Sequence, residues 1–588
     1  MTPGAGCATH ADIAQSGNET PLTAAGAGAL RLRLRSHAFE TPILIVFLIY
    51  AALFIYQTSF VIEGVRYFCL FDDEMISMRY AANFANHLGL VWNPGGERVL
   101  GFTNLLWVLY MSLFHLLPVP AAKLPLLIQA SGVVFLLVSI LFTGRIASEL
   151  FPQRRHVAAL SMILVGFYGP LVNWSLQGTE VSLLTLFVTA SCLLALRSLS
   201  SNTTSVKLYF LLGLATLCRL DMAVFACSVL LSLTIVQPRE WKSHLLIGGL
   251  VILAFLAAQG VFNSLYYGDV LPNTYYLKMS GYPLIPRVER GLRVAMDFML
   301  PLLPLVLGLA LATPVTGRFA GTTVLMTAIL GQIAYSIWVG GDAWEWWGGA
   351  NRYVAIVMPL FFILVAFTLT QYLLLIERWF NSRSSLLEGL SLTLLLCTAL
   401  LLSNVSNLKS NFLLAKPMQT SDPQEWGTNE QMVRQALLIR SLTDEGARIA
   451  VVWAGSLPYF SDRYAIDLLG KNDSRVAHEK MHSESETARQ NRFWPGHLKW
   501  DYAYSIGELK PDIVVQLWEV DDTLTSPSFW LNYVPVRVQG FDWYVRRDSR
   551  HLRNPTDKRS GASHDSEAAR FPGNWRFSGA SFGLLVLS

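Results

Sequence analysis

The sequence predicts a mainly α-helical, polytopic membrane protein with a C-terminal α/β domain. Apolar residues make up 53% of the 588 residues and charged residues 15%, whereas soluble chains carry about 25% charged residues. Many apolar runs are long enough to cross about 30 Å of hydrocarbon. The composition becomes typical of a soluble domain from about residue 406. These observations together predict a helical membrane part that is followed by a smaller water-exposed domain.

The same composition excludes some partners and sites. The net charge is +4, and no basic cluster alternates with aromatic residues outside the membrane loops, so nucleic acid is not an expected partner. Most of the six cysteines lie in or beside apolar segments, and no CxxC or His/Cys metal spacing occurs. We therefore expect the lipid bilayer as a partner, and neither a disulfide framework nor a cofactor.

The N-terminal part predicts the orientation of the chain. Residues 1–40 are rich in Ala, Gly and Thr and are expected to be a disordered tail. Arg31, Arg33 and Arg35 precede the first apolar run, 42–62. Positive charges collect on the cytoplasmic side, so the N-terminus is predicted to be cytoplasmic and the first loop, 63–123, to be outside.

Two segments decide the rest of the topology. The run 102–119 either crosses the membrane or lies along its surface, and the second choice keeps the arginine-rich loop 144–156 inside. The run 208–236 is interrupted by Arg219 and Asp221, and an ion pair in mid-bilayer is expensive, so we split it into two helices that meet outside. The predicted membrane domain, 41–405, then has about eleven crossings: 42–62, 124–146, 157–173, 181–196, 208–217, 222–236, 245–262, 298–314, 322–339, 353–376 and 386–402.

The C-terminal domain, 406–547, is predicted to be an α/β domain on the outer face. The spacing over 431–442 predicts a helix, and strands are predicted at 448–453, 513–518 and 534–545. The remaining residues, 548–588, are expected to form a disordered tail.

Three consecutive carboxylates, Asp72, Asp73 and Glu74, begin the most unusual stretch of the chain, just after the first crossing. One interpretation is a solvated first turn of an interfacial helix, which compensates the helix dipole. The other is an acid/base pair held at a membrane face. The second is favoured because the topology brings further polar residues to the same side: Glu180, Arg219, Asp221, Lys278, Asp342 and Arg352.

The stretch FDDEMISMRYAANFANHLGLVWNPGGERVLGFTN, residues 71–104, resembles the signature of the GT-C polyprenyl-phosphate glycosyltransferases. It is most similar to the terminal arabinofuranosyltransferase family of mycobacterial cell-wall synthesis. The matching residues are Asp72, Asp73, Arg79, Tyr80, Ala81, Gly89, Leu90, Asn93, Pro94, Glu97, Gly101 and Thr103. The likeness continues to about residue 545, with Leu220 where the family usually has proline and an unusual WEWWGGA insert before Arg352.

The resemblance implies roles for individual residues. Asp72 would be the general base toward the acceptor hydroxyl, and Asp73 would orient it or hold the sugar, so Asp72→Asn is expected to abolish transfer. Asp72 as a helix cap is the alternative. The residues implied in donor or substrate binding are Arg79, Tyr80, Glu180, Arg219, Asp221, Asn273, Lys278, Asp342 and Arg352.

Within this set, Arg219 and Arg352 are candidates for the donor phosphate, although Arg219 paired structurally with Asp221 is an equal alternative. Trp344, Trp346 and Trp347 either stack on sugar rings or belong to an aromatic belt. His497 is interpreted as a structural loop residue. No metal cluster is evident, and a divalent cation beside Asp72 and Asp73 remains an open alternative.

The resemblance implies a membrane glycosyltransferase of the bacterial inner membrane, with its C-terminal domain in the periplasm. It would move a sugar, expected to be arabinofuranose, from a polyprenyl monophosphate donor to a cell-envelope glycan or glycoprotein acceptor. Two alternatives stay open. One is a related transferase that moves another sugar onto pilin, lipid A or polysaccharide, and the other is a flippase or transporter of lipid-linked sugars.

Overall fold

The computed structural model describes residues 39–152, 154–312, 319–343, 351–379, 385–404, 424–482, 495–519, 521–553 and 576–577. The membrane part is helical, with one short hairpin, β1 (Phe60–Ile62) and β2 (Val65–Tyr67), after the first helix. Its helices are α1 (Glu40–Gln57), α2 (Asp72–Ala85), α3 (Leu105–His115), α4 (Leu124–Leu150), α5 (Arg155–Gly166), α6 (Gly169–Leu176), α7 (Val181–Ser201), α8 (Val206–Cys218), α9 (Met222–Val236), α10 (Gly249–Tyr267), α11 (Asn273–Met279), α12 (Leu284–Met299), α13 (Leu303–Ala312), α14 (Phe319–Val339), α15 (Arg352–Ala355), α16 (Met358–Trp379) and α17 (Ser385–Ser403).

Several helices are long and apolar enough to span a membrane. Among the described residues there are five, or six if the bent pair α5 and α6 counts as one span. The five are Glu40–Gln57, Leu124–Leu150, Val181–Ser201, Ser243–Tyr267 and Ala320–Val339. Each predicted crossing overlaps one or more helices, but the predicted count of eleven is not confirmed, since only these five or six spans meet the length and composition of a membrane crossing among the described residues.

The two segments on which the predicted topology depends contain only short helices. Helix α3 covers 11 residues of the run 102–119, which at 1.5 Å per residue is about 16 Å and too short to cross the hydrocarbon. The run 208–236 is divided into α8 and α9, and Arg219, Leu220 and Asp221 form the break between them. The chain therefore places this ion pair at helix ends instead of inside a continuous helix.

The helices pack into one bundle that has apolar outer faces. Helix α4 packs against α5 and α7, α16 packs against α5, and α14 packs against α9 and α12. Helix α1 buries Phe47 and Phe54 in this bundle but leaves Ile45 and Ile49 more than half exposed. Such apolar faces fit a lipid environment, where helices satisfy their backbone groups internally.

The C-terminal domain is a mixed sheet flanked by short helices. The sheet order is β4-β3-β5-β7-β6-β8, with parallel pairing of β3 to β4 and β5 and antiparallel pairing elsewhere. Its elements are α18 (Gln424–Leu442), β3 (Arg448–Val451), α19 (Ser456–Ser461), β4 (Tyr464–Asp467), α20 (Ser474–His478), β5 (Ile513–Val514), α21 (Asp522–Thr525), α22 (Pro527–Asn532), β6 (Tyr533–Val538), β7 (Phe541–Arg546) and β8 (Arg576–Phe577).

The predicted single strand over 534–545 is a hairpin made of β6 and β7. Its two-residue turn, Gln539 and Gly540, has positive φ at both positions, which is the type I′ geometry that matches the twist of the flanking strands. Strand β4 has no counterpart in the prediction. Of the expected C-terminal tail, the described residues 576–577 form β8, which pairs with β6.

The C-terminal domain lies against the segment that follows the first crossing. Helix α19 packs on α2, and α20 packs on α11. We call residues 71–104 the signature segment. A group of polar residues lies where this segment meets the C-terminal domain.

Candidate active site

A cavity of about 270 Å³ lies between α2, the ends of the membrane helices and the loops of the C-terminal domain. Its wall is rich in charged side chains. The charged residues that line it are Asp73, Glu74, Glu180, Arg219, Asp221, Lys278, Arg352 and Lys471. Both signs of charge thus meet in one cavity at the junction of the two domains.

The structure separates the predicted site residues into two groups. The first group lines the cavity and consists of Asp73, Glu180, Arg219, Asp221, Lys278 and Arg352. The second group does not line it and consists of Asp72, Arg79, Tyr80, Asn273 and Asp342. The two consecutive acids Asp72 and Asp73 therefore face different parts of the molecule.

Asp73 faces two cations across the cavity. The Lys471 Nζ atom lies 2.5 Å from Asp73 Oδ1, and an Arg352 Nη2 atom lies 3.8 Å from Oδ2. Burial alone would raise the pKa of Asp73, but the charges of Lys471 and Arg352 outweigh it and hold this pKa well below its usual range. Asp73 is consequently ionised at neutral pH.

Arg352 is fixed in place by Asp342. Its Nε and Nη2 atoms donate to the two carboxylate oxygens of Asp342 at 2.7 and 3.0 Å, which is a bidentate pair. The guanidinium also lies 5.0 Å from the ring centre of Trp174. Asp342 is thus placed behind Arg352, where it orients the guanidinium toward the cavity.

A second arginine, Arg219, occupies the break between α8 and α9. Its Nε donates to Asp221 Oδ1 at 2.9 Å, and its Nη1 lies 3.3 Å from Glu180 Oε1. Tyr353 lies beneath it, with 4.8 Å between the guanidinium carbon and the ring centre. Arg219 is therefore paired with Asp221 and Glu180 and also lines the cavity.

Two carboxyl groups meet at the base of the cavity. Asn104 Nδ2 donates to Glu74 Oε2 at 3.2 Å and to Glu180 Oε2 at 3.3 Å, and Ser77 Oγ donates to Asn104 Oδ1. Burial, and then the charge of Glu180, raise the pKa of Glu74 well above its usual value. Burial and the neighbouring Glu180 thus favour a proton on Glu74, which shares a side-chain hydrogen bond with Glu180.

Lys278 and His497 lie on another wall of the cavity, where the carbon chain of Lys278 passes close to Gly496. Among the described residues, no hydrogen bond or ion pair holds the Lys278 ammonium. Burial, assisted by the charge of Lys471, lowers the pKa of His497 to about 3, so its ring is neutral. Lys278 is thus a cation available to an anionic ligand.

Asp72 points away from the cavity and into the C-terminal domain. Its oxygens accept backbone N–H groups of Ser456 at 2.7 Å and Gly455 at 3.2 Å. Burial raises the pKa of Asp72 to about 6, although these N–H groups partly offset the effect. The alternative of a capping carboxylate fits this geometry, but the N-terminus that it caps is that of α19, not of its own helix.

Except for Asp342, the other residues outside the cavity also contact the C-terminal domain. Arg79 donates to the carbonyl oxygens of Pro458 and Arg463, and Tyr80 hydrogen-bonds Asn472 at 3.2 Å. Asn273 donates from Nδ2 to Gly470 O at 3.2 Å. These residues form the junction between the domains instead of the cavity wall.

Sequence reasoning missed Lys471, Glu74 and Asn104 as cavity residues. Lys471 lies inside the stretch IDLLGKND, which falls within the part of the chain over which the likeness continues, so its position there was the available signal. Trp344, Trp346 and Trp347 lie outside the described residues. Within the part of the chain that the structure describes, no three His, Cys, Asp or Glu side chains are arranged to hold a metal ion.

The fold of the chain is similar to those of several proteins of known structure. The crystal structure of ArnT from Cupriavidus metallidurans in the apo state matches it with a TM-score of 0.55 at 14% identity, over 86% of this chain and 98% of that chain. ArnT bound to undecaprenyl phosphate matches over the same shares, with a TM-score of 0.54 at 13% identity.

A more distant match is the oligosaccharyltransferase of Archaeoglobus fulgidus in complex with Zn and sulfate. Its TM-score is 0.51 at 11% identity, over 86% of this chain and 73% of that chain. At such identities the likeness is one of fold, and it does not confirm the arabinofuranosyltransferase resemblance. A family model described as a domain of unknown function (DUF8728) matches residues 422–562, which include the described C-terminal domain apart from β8. No curated protein matches the sequence.

Proposed function

We propose that the protein is a membrane glycosyltransferase that uses a polyprenyl monophosphate sugar as its donor. The observation that carries this proposal is the cavity, in which one ionised carboxylate, Asp73, lies among the cations Arg352, Lys471 and Lys278. Such a site suits a donor with an anionic phosphate and a lipid tail, because guanidinium and ammonium groups bind phosphate strongly. The GT-C fold supports the same class of reaction.

In the proposed reaction, an acceptor hydroxyl attacks C1 of the donor sugar. The bond between C1 and the phosphate oxygen breaks, and its electron pair leaves with the oxygen, so polyprenyl phosphate is released with one more negative charge. The acceptor proton passes to Asp73, which becomes neutral and later returns the proton to solvent. Arg352, Lys278 and Lys471 stabilise the charge that develops on the leaving phosphate.

This proposal exchanges the roles predicted for the two aspartates. Asp73 lines the cavity, whereas both oxygens of Asp72 are engaged by backbone N–H groups of the C-terminal domain. A general base must reach the proton that it removes. We therefore assign the base to Asp73 and a positioning role to Asp72, and we assign Arg79, Tyr80 and Asn273 to positioning as well.

The sugar is proposed to lie near Glu180 and Asp221, whose oxygens can accept hydrogen bonds from sugar hydroxyls. Both carboxylates line the cavity beside Arg219. Arabinofuranose is proposed on the resemblance of the signature segment alone. The likeness to ArnT supports the broader alternative, a transferase for another sugar that acts on lipid A, pilin or polysaccharide.

The proposed location is the bacterial inner membrane, with the N-terminus in the cytoplasm and the cavity and C-terminal domain in the periplasm. The arginines before α1 and the apolar helices support this orientation. The cavity and the C-terminal domain necessarily share one side, because loops of that domain form part of the cavity wall.

The proposal is tested with the purified full-length protein, polyprenyl-phosphate arabinofuranose and, in parallel, other polyprenyl-phosphate sugars. Transfer to a glycan acceptor, detected by mass spectrometry, is the expected result, and the glycans of a deletion strain identify the sugar in the cell. If no donor releases polyprenyl phosphate, and the protein moves a lipid-linked sugar across liposome membranes, the transporter alternative is established instead.

A further inference from the structure

The residues that join the signature segment to the C-terminal domain converge on the chain from Gly455 to Asn472. Asp72 accepts hydrogen bonds from the backbone N–H groups at the start of α19. Arg79 donates to one carbonyl oxygen within α19 and to another just after its last residue. Tyr80 hydrogen-bonds Asn472. All three are buried. The domain is therefore held in one position relative to α2, the helix that carries Asp73.

The loop after β4 is rigidly built. One oxygen of Asp467 accepts the N–H groups of Leu469 and Gly470 at 3.0 and 3.1 Å, and the other accepts both the backbone and side-chain N–H of Asn472 at 2.8 and 2.9 Å. Four hydrogen bonds to one buried carboxylate fix the path of the chain through Lys471. The loop thus presents this lysine in one place.

Gly101 of the signature segment allows the loop to approach closely. A side-chain carbon at this position would overlap Asn472 Oδ1 and would lie 2.8 Å from the carbonyl oxygen of Lys471. Both contacts are closer than normal, so a residue larger than glycine would displace the loop that carries Lys471 relative to the signature segment.

We propose that the C-terminal domain completes the active site by supplying Lys471, which pairs with Asp73 in the free enzyme and binds the donor phosphate during transfer. This inference rests on the proposed function and gives the C-terminal domain, most of which lies in the region matched by a domain of unknown function, a direct role in the reaction. Lysine suits such an exchange because its ammonium carries three donors on a flexible chain.

The exchange would also activate the base. Lys471 and Arg352 together hold the pKa of Asp73 low, which makes it a weak proton acceptor in the free enzyme. A bound phosphate attracts both cations and adds a negative charge nearby, so the pKa of Asp73 rises when the donor arrives. The charged or titratable groups that interact electrostatically with Asp73 are Asp72, Glu74, Lys278, Arg352, Lys471 and His497.

The test compares Lys471→Met with Lys480→Met, a substitution of an exposed lysine of the same domain. In the full-length enzyme, Lys471→Met is expected to lower kcat/KM by at least about 100-fold, because a cation at the developing charge is lost. Its affinity for undecaprenyl phosphate in micelles should fall by about tenfold or more. Lys480→Met should resemble wild type in both measurements.

The pH profile distinguishes this role from a structural one. Removing Lys471 raises the pKa of Asp73, so the acidic limb of the activity profile should move to higher pH by about one to three units. Lys471→Arg keeps the cation and should keep the wild-type limb. If Lys471→Met does not fold, Lys471→Gln, which also removes the charge, takes its place in the comparison.

The outcomes separate the two proposals. If the wild-type enzyme transfers sugar, and Lys471→Met matches Lys480→Met in rate, affinity and pH profile, the role of Lys471 is overturned. The proposed glycosyltransferase function is then unaffected. A Lys471→Met enzyme that is slow but has an unshifted acidic limb and normal affinity would also overturn it. Wild-type enzyme that transfers no sugar from any polyprenyl-phosphate donor would overturn both.

Discussion

The carboxylate of Asp72 accepts a 2.7 Å hydrogen bond from the backbone N–H of Ser456, although 384 positions separate the two residues in the sequence. The next residue, Asp73, faces the cavity and Lys471. Consecutive residues on a helix point about 100° apart. One acid of the pair therefore holds the C-terminal domain, and the other faces the proposed substrate.

Asparagine substitutions should separate these two roles. Asp73→Asn removes the proposed base and should lower transfer by about 10²- to 10⁴-fold. Asp72→Asn keeps one acceptor oxygen but loses the charged carboxylate whose two oxygens accept hydrogen bonds from two backbone N–H groups. It should reduce stability by about 1–3 kcal/mol, measured as the thermal midpoint in detergent. Full activity of Asp73→Asn beside an inactive but equally stable Asp72→Asn would restore the roles predicted from the sequence.

Glu74 is expected to act as a neutral group. Because burial and the charge of Glu180 favour a proton on Glu74, Glu74→Gln should retain transfer within about threefold of wild type, since glutamine can also donate to Glu180. Glu180→Gln removes the charge that faces Arg219 and should lower kcat/KM by about tenfold or more. Steady-state kinetics of the two variants provide the comparison, and an equal loss in both would contradict the assignment.

The raised pKa of Glu74 also predicts a stability profile. The folded protein holds a proton that the unfolded chain releases above the ordinary glutamate range, so wild-type stability should fall as pH rises through the interval between the two pKa values. Glu74→Gln cannot release that proton and should lose less stability over the same interval. Thermal midpoints from pH 5 to 9 measure the difference, and parallel curves for the two proteins would count against a protonated Glu74.

Arg352 should not be replaceable by lysine. Its guanidinium donates two hydrogen bonds to Asp342 and lies over Trp174, and an ammonium group cannot reproduce this planar arrangement. Arg352→Lys should therefore raise the KM for the donor about tenfold or more. Arg293→Lys, at an exposed position on α12, is the matched control and should leave the KM unchanged. A wild-type KM in Arg352→Lys would show that positive charge alone suffices.

The close approach at Gly101 can be tested with a single methyl group. Gly101→Ala would place a carbon against Asn472 and the carbonyl of Lys471, so it should reduce transfer at least about tenfold by displacing the loop that carries Lys471. Gly249→Ala is the control, because a side-chain carbon there meets no atom within 4 Å. Equal transfer rates in the two variants would mean that the domain junction tolerates displacement.

Much of the fold was predictable because its signals are local. Apolar composition predicted a helical membrane part, and the pair Arg219 and Asp221 predicted the break between α8 and α9, since buried charge is costly in a continuous span. The number of crossings was not predictable in the same way. Hydropathy measures apolar length, but α3, α8 and α9 are too short to span alone, and α5 and α6 meet at a bend of 53°.

The sequence by itself determined that this is a helical membrane protein with a C-terminal α/β domain, and it singled out the segment that contains Asp73. Tertiary structure alone decided which acid faces the cavity, because the side that α2 presents depends on what packs against it. It also brought Lys471 to Asp73 from 398 positions away. Hydropathy and helical periodicity act over a few residues, whereas a charged cavity forms only where distant loops are packed against each other.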